Sequence, residues 1–328
     1  MNQHIRLNLR EAGCPFCRTH PNRNALFRLR YSETLRPSPE VEDFEGWVEE
    51  CIQCGIYIIN PRYDETEFEK IYNHLSRKGK GSTTVKSLAG HPLRFAMVGW
   101  HSPNSLRRIA ARLIGKVLDP VLHIPITSVP MRGKNVLDVG CGDGFHLRCY
   151  GKLGCALYGT EIHSGYIPFL EKGPETIRYW VEEFSKIDWE KETGWGTFDL
   201  ILFQSVFYRL NNPREALDLS WRLLKPGGAI LRIEPFFPNI DAAKFMTRFN
   251  FPQGYCYISN IEQYCNKLSE IIPGAQFSWD IIYGRSRKMA TGKELTLWTA
   301  ALDIIERLSK NMIGSEPWYI RLEIKKPK

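Results

Sequence analysis

The stretch "NVLDVGCGDGFHL", Asn135–Leu147, decides the fold. Its first five residues are apolar and branched enough for a buried parallel strand, with one acid, Asp138, inside the run. Three glycines follow at alternate positions, Gly140, Gly142 and Gly144, and a helical pattern starts at Phe145. A strand that passes through a glycine turn into a helix aims backbone N–H groups and the positive helix end at one point. The spacing D-x-G-x-G-x-G differs from the G-x-G-x-x-G of dinucleotide sites. The turn alone therefore does not choose its ligand, and the neighbouring stretches must.

Those stretches alternate strand and helix. "GCALYGTEIH" predicts a second strand ending at Glu161, and "TIRYWVEEF" a third. "FDLILFQSVFYRL" predicts a fourth, ending near Gln204. "NPREALDLSWRLLKPGGAILRIEP" predicts a helix, a Pro-Gly-Gly turn and a fifth strand ending at Glu234. This alternation builds an α/β fold with a doubly wound, mostly parallel sheet. An acid about twenty residues past the glycine turn is placed to accept both hydroxyls of a ribose.

Read together, "VLDVGCGDG", Glu161, "FDLILFQSVF" and "LLKPGGAIL" resemble the successive motifs of class I S-adenosylmethionine-dependent methyltransferases. The resemblance covers about residues 130 to 240 and implies a seven-stranded Rossmann-like sheet whose last two strands form an antiparallel hairpin. It also implies roles. Gly140, Cys141, Gly142 and Gly144 let the backbone approach the methionine part of the cofactor, and Asp138 orders its amino group. Glu161 takes the ribose hydroxyls, with Ile162 beside it. Glu183 and Phe184 flank the adenine, although Phe184 is as readily a core residue. Gln204 and Ser205 border the methionine end.

Two departures bear on the chemistry. Relatives often carry a Glu-His pair after the fourth strand, where this chain has Tyr208 and Arg209, and a later P-x-H segment that here reads "FPQGYCYIS", with Tyr255 and Tyr257. The customary histidine base is absent from both places. Tyr208, Tyr255 and Tyr257 are then either orienting groups for an acceptor or core residues. Glu234, at the carboxyl edge of the sheet, is the first candidate for a general base. His163 and His101 are weaker ones.

Nine cysteines are unevenly placed. Cys14, Cys17, Cys51 and Cys54 form two CxxC pairs, in "CPFC" and "CIQCG". Two such turns supply a tetrahedral, closed and therefore structural Zn2+ site; the alternative is four unrelated buried thiols. The 33 residues from 18 to 50 leave room for strands between the pairs. The leader "CPFC…CIQCGIYIINPRYDETEFEKIY" resembles the zinc ribbon of a methyltransferase branch acting on sugars and natural-product intermediates.

From Lys70 to Lys116 the chain has ten basic residues and no acidic one. "SRKGKGSTTVK" within it predicts a loop, and "SLRRIAARLIGKVL" (105–118) an amphipathic helix with Leu106, Ile109, Leu113 and Val117 on one face and a basic outer face. Such a field suits an anionic partner. Residues 76–90 contain no aromatic side chain to stack on bases, which favours a small anionic methyl acceptor over nucleic acid. The expected divisions are 1–62, a zinc ribbon; 63–128, a helical, basic linker or cap; and 129–328, the cofactor-binding methyltransferase domain with a C-terminal helical insertion over residues 295–308. No apolar run reaches the ~18 residues of a membrane helix and no secretory signal opens the chain, so a cytoplasmic protein is expected. The expected function is methyl transfer to a sugar nucleotide or natural-product intermediate at nitrogen, oxygen or carbon. The alternatives are an RNA methyltransferase and a non-catalytic cofactor-binding protein.

Overall fold

The computed structural model describes residues 9–10, 13–18, 25–30, 45–60, 62–63, 100–101, 105–111, 125–171, 175–239, 256–283 and 317–328. The loop expected over 76–86, residues 112–118 of the expected basic helix, Tyr255 and the C-terminal helical insertion lie outside these residues. The chain forms two compact units: Met1–Lys78 with Ser205–Leu219 and Glu234–Ala275, and Gly79–Gln204 with Ser220–Ile233 and Gln276–Lys328.

In the first unit, β1 (Leu9–Arg10) pairs with β5 (Arg62–Tyr63), while β2 (Ala25–Arg30), β3 (Glu45–Cys51) and β4 (Ile56–Asn60) form an antiparallel meander. Two of these, β2 and most of β3, occupy the interval between the cysteine pairs, as its length allows. Every residue of β4 is buried.

The second unit is built on a seven-stranded sheet. Its strands are β6 (Asn135–Val139), β7 (Ala156–Thr160), β8 (Ile177–Trp180), β9 (Phe198–Gln204), β10 (Leu224–Pro235), β12 (Gln276–Tyr283) and β13 (Pro317–Lys325). The spatial order is β12-β13-β10-β9-β6-β7-β8. Neighbours among β8, β7, β6, β9 and β10 are parallel, and β12 and β13 form the antiparallel edge pair. Val136, Leu137, Leu200, Ile201, Leu202, Phe203, Ile230 and Leu231 are all at most 1% exposed. At roughly 1.5–3 kcal/mol per buried large apolar side chain, these central strands dominate the stability of the unit. Helix α1 (Phe145–Gly151) follows the glycine turn, and α2 (Ile167–Leu170) and α3 (Trp189–Glu192) are single turns.

One strand of the first unit has no counterpart in the expectations. β11 (Cys256–Ile258) pairs antiparallel with β4, completing a four-stranded sheet of order β11-β4-β3-β2. Helices α4 (Pro213–Leu223) and α5 (Ile261–Ile271) flank this part of the chain. The expected Pro-Gly-Gly turn is also absorbed into β10. Leu224 pairs with Phe198 and Ala229 with Leu200, so the intervening residues bulge without ending the strand. Gly227 supplies the left-handed backbone (φ 78) that the bulge needs.

Polar groups lock the amino ends of the sheet. The Asp199 carboxylate accepts from the Asn135 backbone N–H at 3.0 Å and meets Lys134 and Lys225 at 3.0 and 2.9 Å, tying β6, β9 and β10 together. Burial alone raises its pKa, but the Asn135 N–H and the two lysines outweigh burial and hold it below the usual range. Buried Arg148 donates to the carbonyls of Phe169, Leu170 and Glu175, satisfying the open end of α2. Among the described residues no helix is long and apolar enough to cross a membrane.

Candidate functional site

β6 lies between β7 and β9, so the strand order reverses at its carboxyl end, where open α/β sheets bind ligands. The glycine turn leaves from that point. Gly140, Gly142 and Gly144 all have positive φ, at 70°, 54° and 73°. The N–H groups of Gly140 and Cys141 both donate to the Thr160 carbonyl, at 2.8 and 3.0 Å, fixing the turn to the end of β7. A Cβ at Gly144 would stand 2.8 Å from Ile177 Cδ1, whereas one at Gly142 would meet nothing within 4 Å. Gly144 is therefore a packing requirement, and Gly142 faces open space.

Glu161 is 4% exposed and is held from two sides. The Gly142 N–H donates to its Oε2 at 2.9 Å and the His163 N–H to its Oε1 at 3.0 Å. Two backbone donors thus fix the orientation of the carboxylate. The arrangement fits S-adenosylmethionine: a fixed carboxylate for hydroxyls beside backbone with room for a ligand. Asp138 is buried within β6, opposite Gly159 on β7 and Leu202 on β9. The Cys141 thiol is pushed well up, first by burial and then by the Asp138 and Glu161 carboxylates, so it is a neutral thiol. Its sulfur would be 2.7 Å from a Cβ on Gly159, so a side chain there would have to displace it.

Ile162 is 39% exposed at the end of β7. Val181, 40% exposed, directly follows β8, whose last residue Trp180 pairs with Thr160. Two exposed apolar side chains on adjacent strand ends suit a flat base. Val181 is not among the expected cofactor residues; it is an apolar residue immediately before the acids Glu182 and Glu183. Phe184 is 3% exposed and packs against Trp189 and Phe203, at ring distances of 5.4 and 5.9 Å. This is the core alternative of the two the sequence left open. Glu183 accepts from Ser185 Oγ at 3.1 Å and pairs with Lys186 at 3.0 Å. Gln204 is the last residue of β9 and half-buried, and Ser205 follows it at φ 56. A non-glycine residue in that region costs about 1–2 kcal/mol and marks a place where backbone direction matters.

The first unit gathers the four cysteines. Their sulfurs all lie within 4.8 Å of one another, with Cys14–Cys54 and Cys17–Cys51 both at 3.6 Å. Four ligands about 2.3 Å from a tetrahedral zinc would be about 3.8 Å apart, so the cluster fits that ion. Hydrogen bonds from Cys14 and Cys54 lower Cys51 below the ordinary thiol range. The two turns are built alike. The residue after each second cysteine is left-handed, Arg18 at φ 60 and Gly55 at φ 62, and its N–H returns to the carbonyl of the first cysteine at 2.9 Å.

Tyr208 and Tyr257 are each 1% exposed, with ring centroids 5.4 Å apart, and Phe237 lies 4.6 Å from Tyr257. Arg209 donates to the Tyr208 hydroxyl at 2.9 Å. Glu234 is 1% exposed. His163 Nδ1 accepts from the Gly165 N–H, which closes a turn, and burial lowers the pKa of His101.

The basic segment corrects one expectation. In the helical residues 105–111, Leu106 is 76% and Ile109 55% exposed, while Ala111 is fully buried. The buried residue of the helix is Ala111, with Ala110 half-buried. Leu106 and Ile109, expected on the inner face, are thus exposed, while Leu113 and Val117 lie outside the described residues. Arg108 lines a cavity of about 770 Å3 together with Trp100, His101, Arg132 and Arg321.

Residues 137–231 match a family described as "Methyltransferase domain". Similar curated proteins include the mitochondrial ubiquinone biosynthesis O-methyltransferases of Rattus norvegicus and Homo sapiens. They are 25% and 26% identical over 161 residues, covering 46% of this chain and 40% and 38% of theirs. The ubiquinone biosynthesis O-methyltransferase of Paracidovorax citrulli (strain AAC00-1) is 27% identical over 117 residues, covering 34% of this chain and 46% of its own. The chain thus spans less than half the length of these relatives.

Proposed function

We propose, from the premise that residues 137–231 are a class I S-adenosylmethionine-dependent methyltransferase domain, that this chain transfers a methyl group to a hydroxyl of a small, anionic acceptor. The observation that carries the reading is the 2.9 Å bond from the Gly142 N–H to Glu161 beside a backbone cradle with open space. When bound, S-adenosylmethionine supplies an electrophilic methyl on a sulfonium that leaves as a neutral thioether. Glu161 holds the ribose, Ile162 and Val181 cover the base, and the turn from Gly140 to Gly144, with Asp138, Gln204 and Ser205, orients the methionine end. The acceptor proton goes to a carboxylate, for which Glu234 is the candidate. Tyr208 and Tyr257 shape the acceptor side.

Oxygen as the acceptor atom is supported by the O-methyltransferase relatives, and an anionic acceptor by the basic run from Lys70 to Lys116. Cys14, Cys17, Cys51 and Cys54 hold a structural zinc with no open position for substrate. The test uses methyl-labelled S-adenosylmethionine over phenolic acceptors, sugar nucleotides and RNA. Label in a hydroxyl of a small acceptor is expected. Label in RNA alone, or no calorimetric binding of S-adenosylhomocysteine, would overturn the proposal.

A further inference from the structure

We infer that the cysteine knuckles position the two segments that leave the carboxyl ends of β9 and β10, residues 205–219 and 234–275, and that metal occupancy thereby controls the acceptor side. The control of the acceptor side rests on the function proposed above; the positioning itself does not.

Each knuckle is gripped by one or both of these segments. In the second, the Gly55 carbonyl accepts from the N–H groups of Ser259 and Asn260, at 2.8 and 3.0 Å. A Cβ on Gly55 would lie 2.4 Å from the Asn260 carbonyl oxygen, so the approach requires glycine. In the first, the Phe16 carbonyl accepts from Arg214 at 2.7 Å, and the buried Phe16 ring meets Tyr264 edge-on at 5.2 Å. Arg214 lies in the first turn of α4, where its charge opposes the positive helix end. Its bond to the knuckle accounts for an arginine there.

The grip extends to the aromatic cluster. β4 leaves the second knuckle directly and pairs with β11, Tyr57 opposite Tyr257. The Phe237 N–H donates to the Ile258 carbonyl at 2.9 Å, and Tyr257 packs on Tyr208 and Phe237. A shift of the knuckles therefore passes through backbone pairing to Tyr208 and Tyr257. Nothing in this chain of contacts involves the glycine turn or Glu161.

The test uses the full chain loaded with zinc. Hydrogen exchange is followed by mass spectrometry before and after chelation, with S-adenosylhomocysteine affinity measured in both states. Exchange over residues 256–264 should rise at least about tenfold on metal removal, as expected for a local opening. Strands β6 and β7 and the ligand affinity should change less than about twofold. Unchanged exchange at 256–264 overturns the inference, and so does loosening throughout the chain with loss of ligand binding. Arg214→Ala should retain zinc, raise exchange over 256–264 and raise the acceptor KM about fivefold with kcat nearly constant; Arg214→Lys should restore part of both. Should Arg214→Ala not fold, Gly55→Ala serves, with the same exchange signature expected. The exchange measurements hold whether or not the chain methylates anything, so failure of the inference and failure of the proposed function are distinguishable.

Discussion

The glycine turn after β6 and the knuckle ending at Gly55 use the same backbone device for opposite ends. Both place glycine in the left-handed region, Gly142 at φ 54 and Gly55 at φ 62. At Gly142 the space a side chain would occupy is empty, and the N–H is spent on orienting Glu161. At Gly55 that space is filled by the Asn260 carbonyl, and the Gly55 carbonyl is spent on two backbone donors. At Gly142 the open space adjoins the Glu161 carboxylate at the edge of the sheet, whereas at Gly55 it is closed by another backbone, which makes that residue a joint. The first knuckle shows the contrast from within: Arg18 takes nearly the same φ with an exposed side chain.

The largest effect is expected where the joint is removed altogether. Cys54→Ser should lose the roughly one zinc per chain expected by metal analysis, and several kcal/mol of stability with it. Full zinc occupancy in that variant would break the comparison, because the joint would then not depend on the cluster. Next comes Glu161→Ala. Loss of a charged acceptor for two ribose hydroxyls should weaken S-adenosylhomocysteine binding roughly 100-fold by calorimetry, at about 1.5 kcal/mol per bond.

A pair of alanine substitutions sharpens the contrast most directly. Gly142→Ala should cost about 1 kcal/mol for the left-handed backbone and lower ligand affinity about tenfold, by filling the cradle. Gly55→Ala should cost about 2–3 kcal/mol through strain and overlap, yet bind the ligand as before. Equal effects on ligand binding in the two variants would erase the distinction.

A smaller effect is expected from Asp199. Its folded pKa is depressed, so its contribution is present above about pH 4, the usual unfolded value, and is lost as pH falls through the folded one. The acid-side drop in melting temperature should be shallower in Asp199→Asn. The smallest concerns the basic helix: Arg107→Gln, Arg108→Gln and Arg112→Gln together should raise the acceptor KM a few-fold at low salt, leave cofactor affinity unchanged, and be mimicked by added salt.

The second unit was legible because its signals are local. A buried strand, a glycine turn and an acid at the next strand end each follow from a few adjacent residues, and β6, β7 and Glu161 stand where those residues imply. The CxxC pairs are equally local, and their four sulfurs do converge. What could not be read is pairing across long separations. "CYI" at 256–258 is too short and too mixed to announce a strand, and it is one because β4 offers an open edge. Tyr257, weighed as an acceptor-side group or a core residue, sits on that strand at 1% exposure. The helix at 105–111 failed differently: its pattern identifies an apolar face but not which residues become buried.

The pairing of β4 with β11 also sets a schedule for synthesis. Ile58 leaves the ribosome 198 residues before its partner Cys256. At about 5–20 residues per second, that edge waits roughly 10–40 s for its last strand. During the interval an apolar strand stands with one side unpaired, an edge on which other nascent chains can template. The four-stranded sheet is thus completed long after its first three strands have appeared. Truncations that end before residue 256 leave it permanently at that stage.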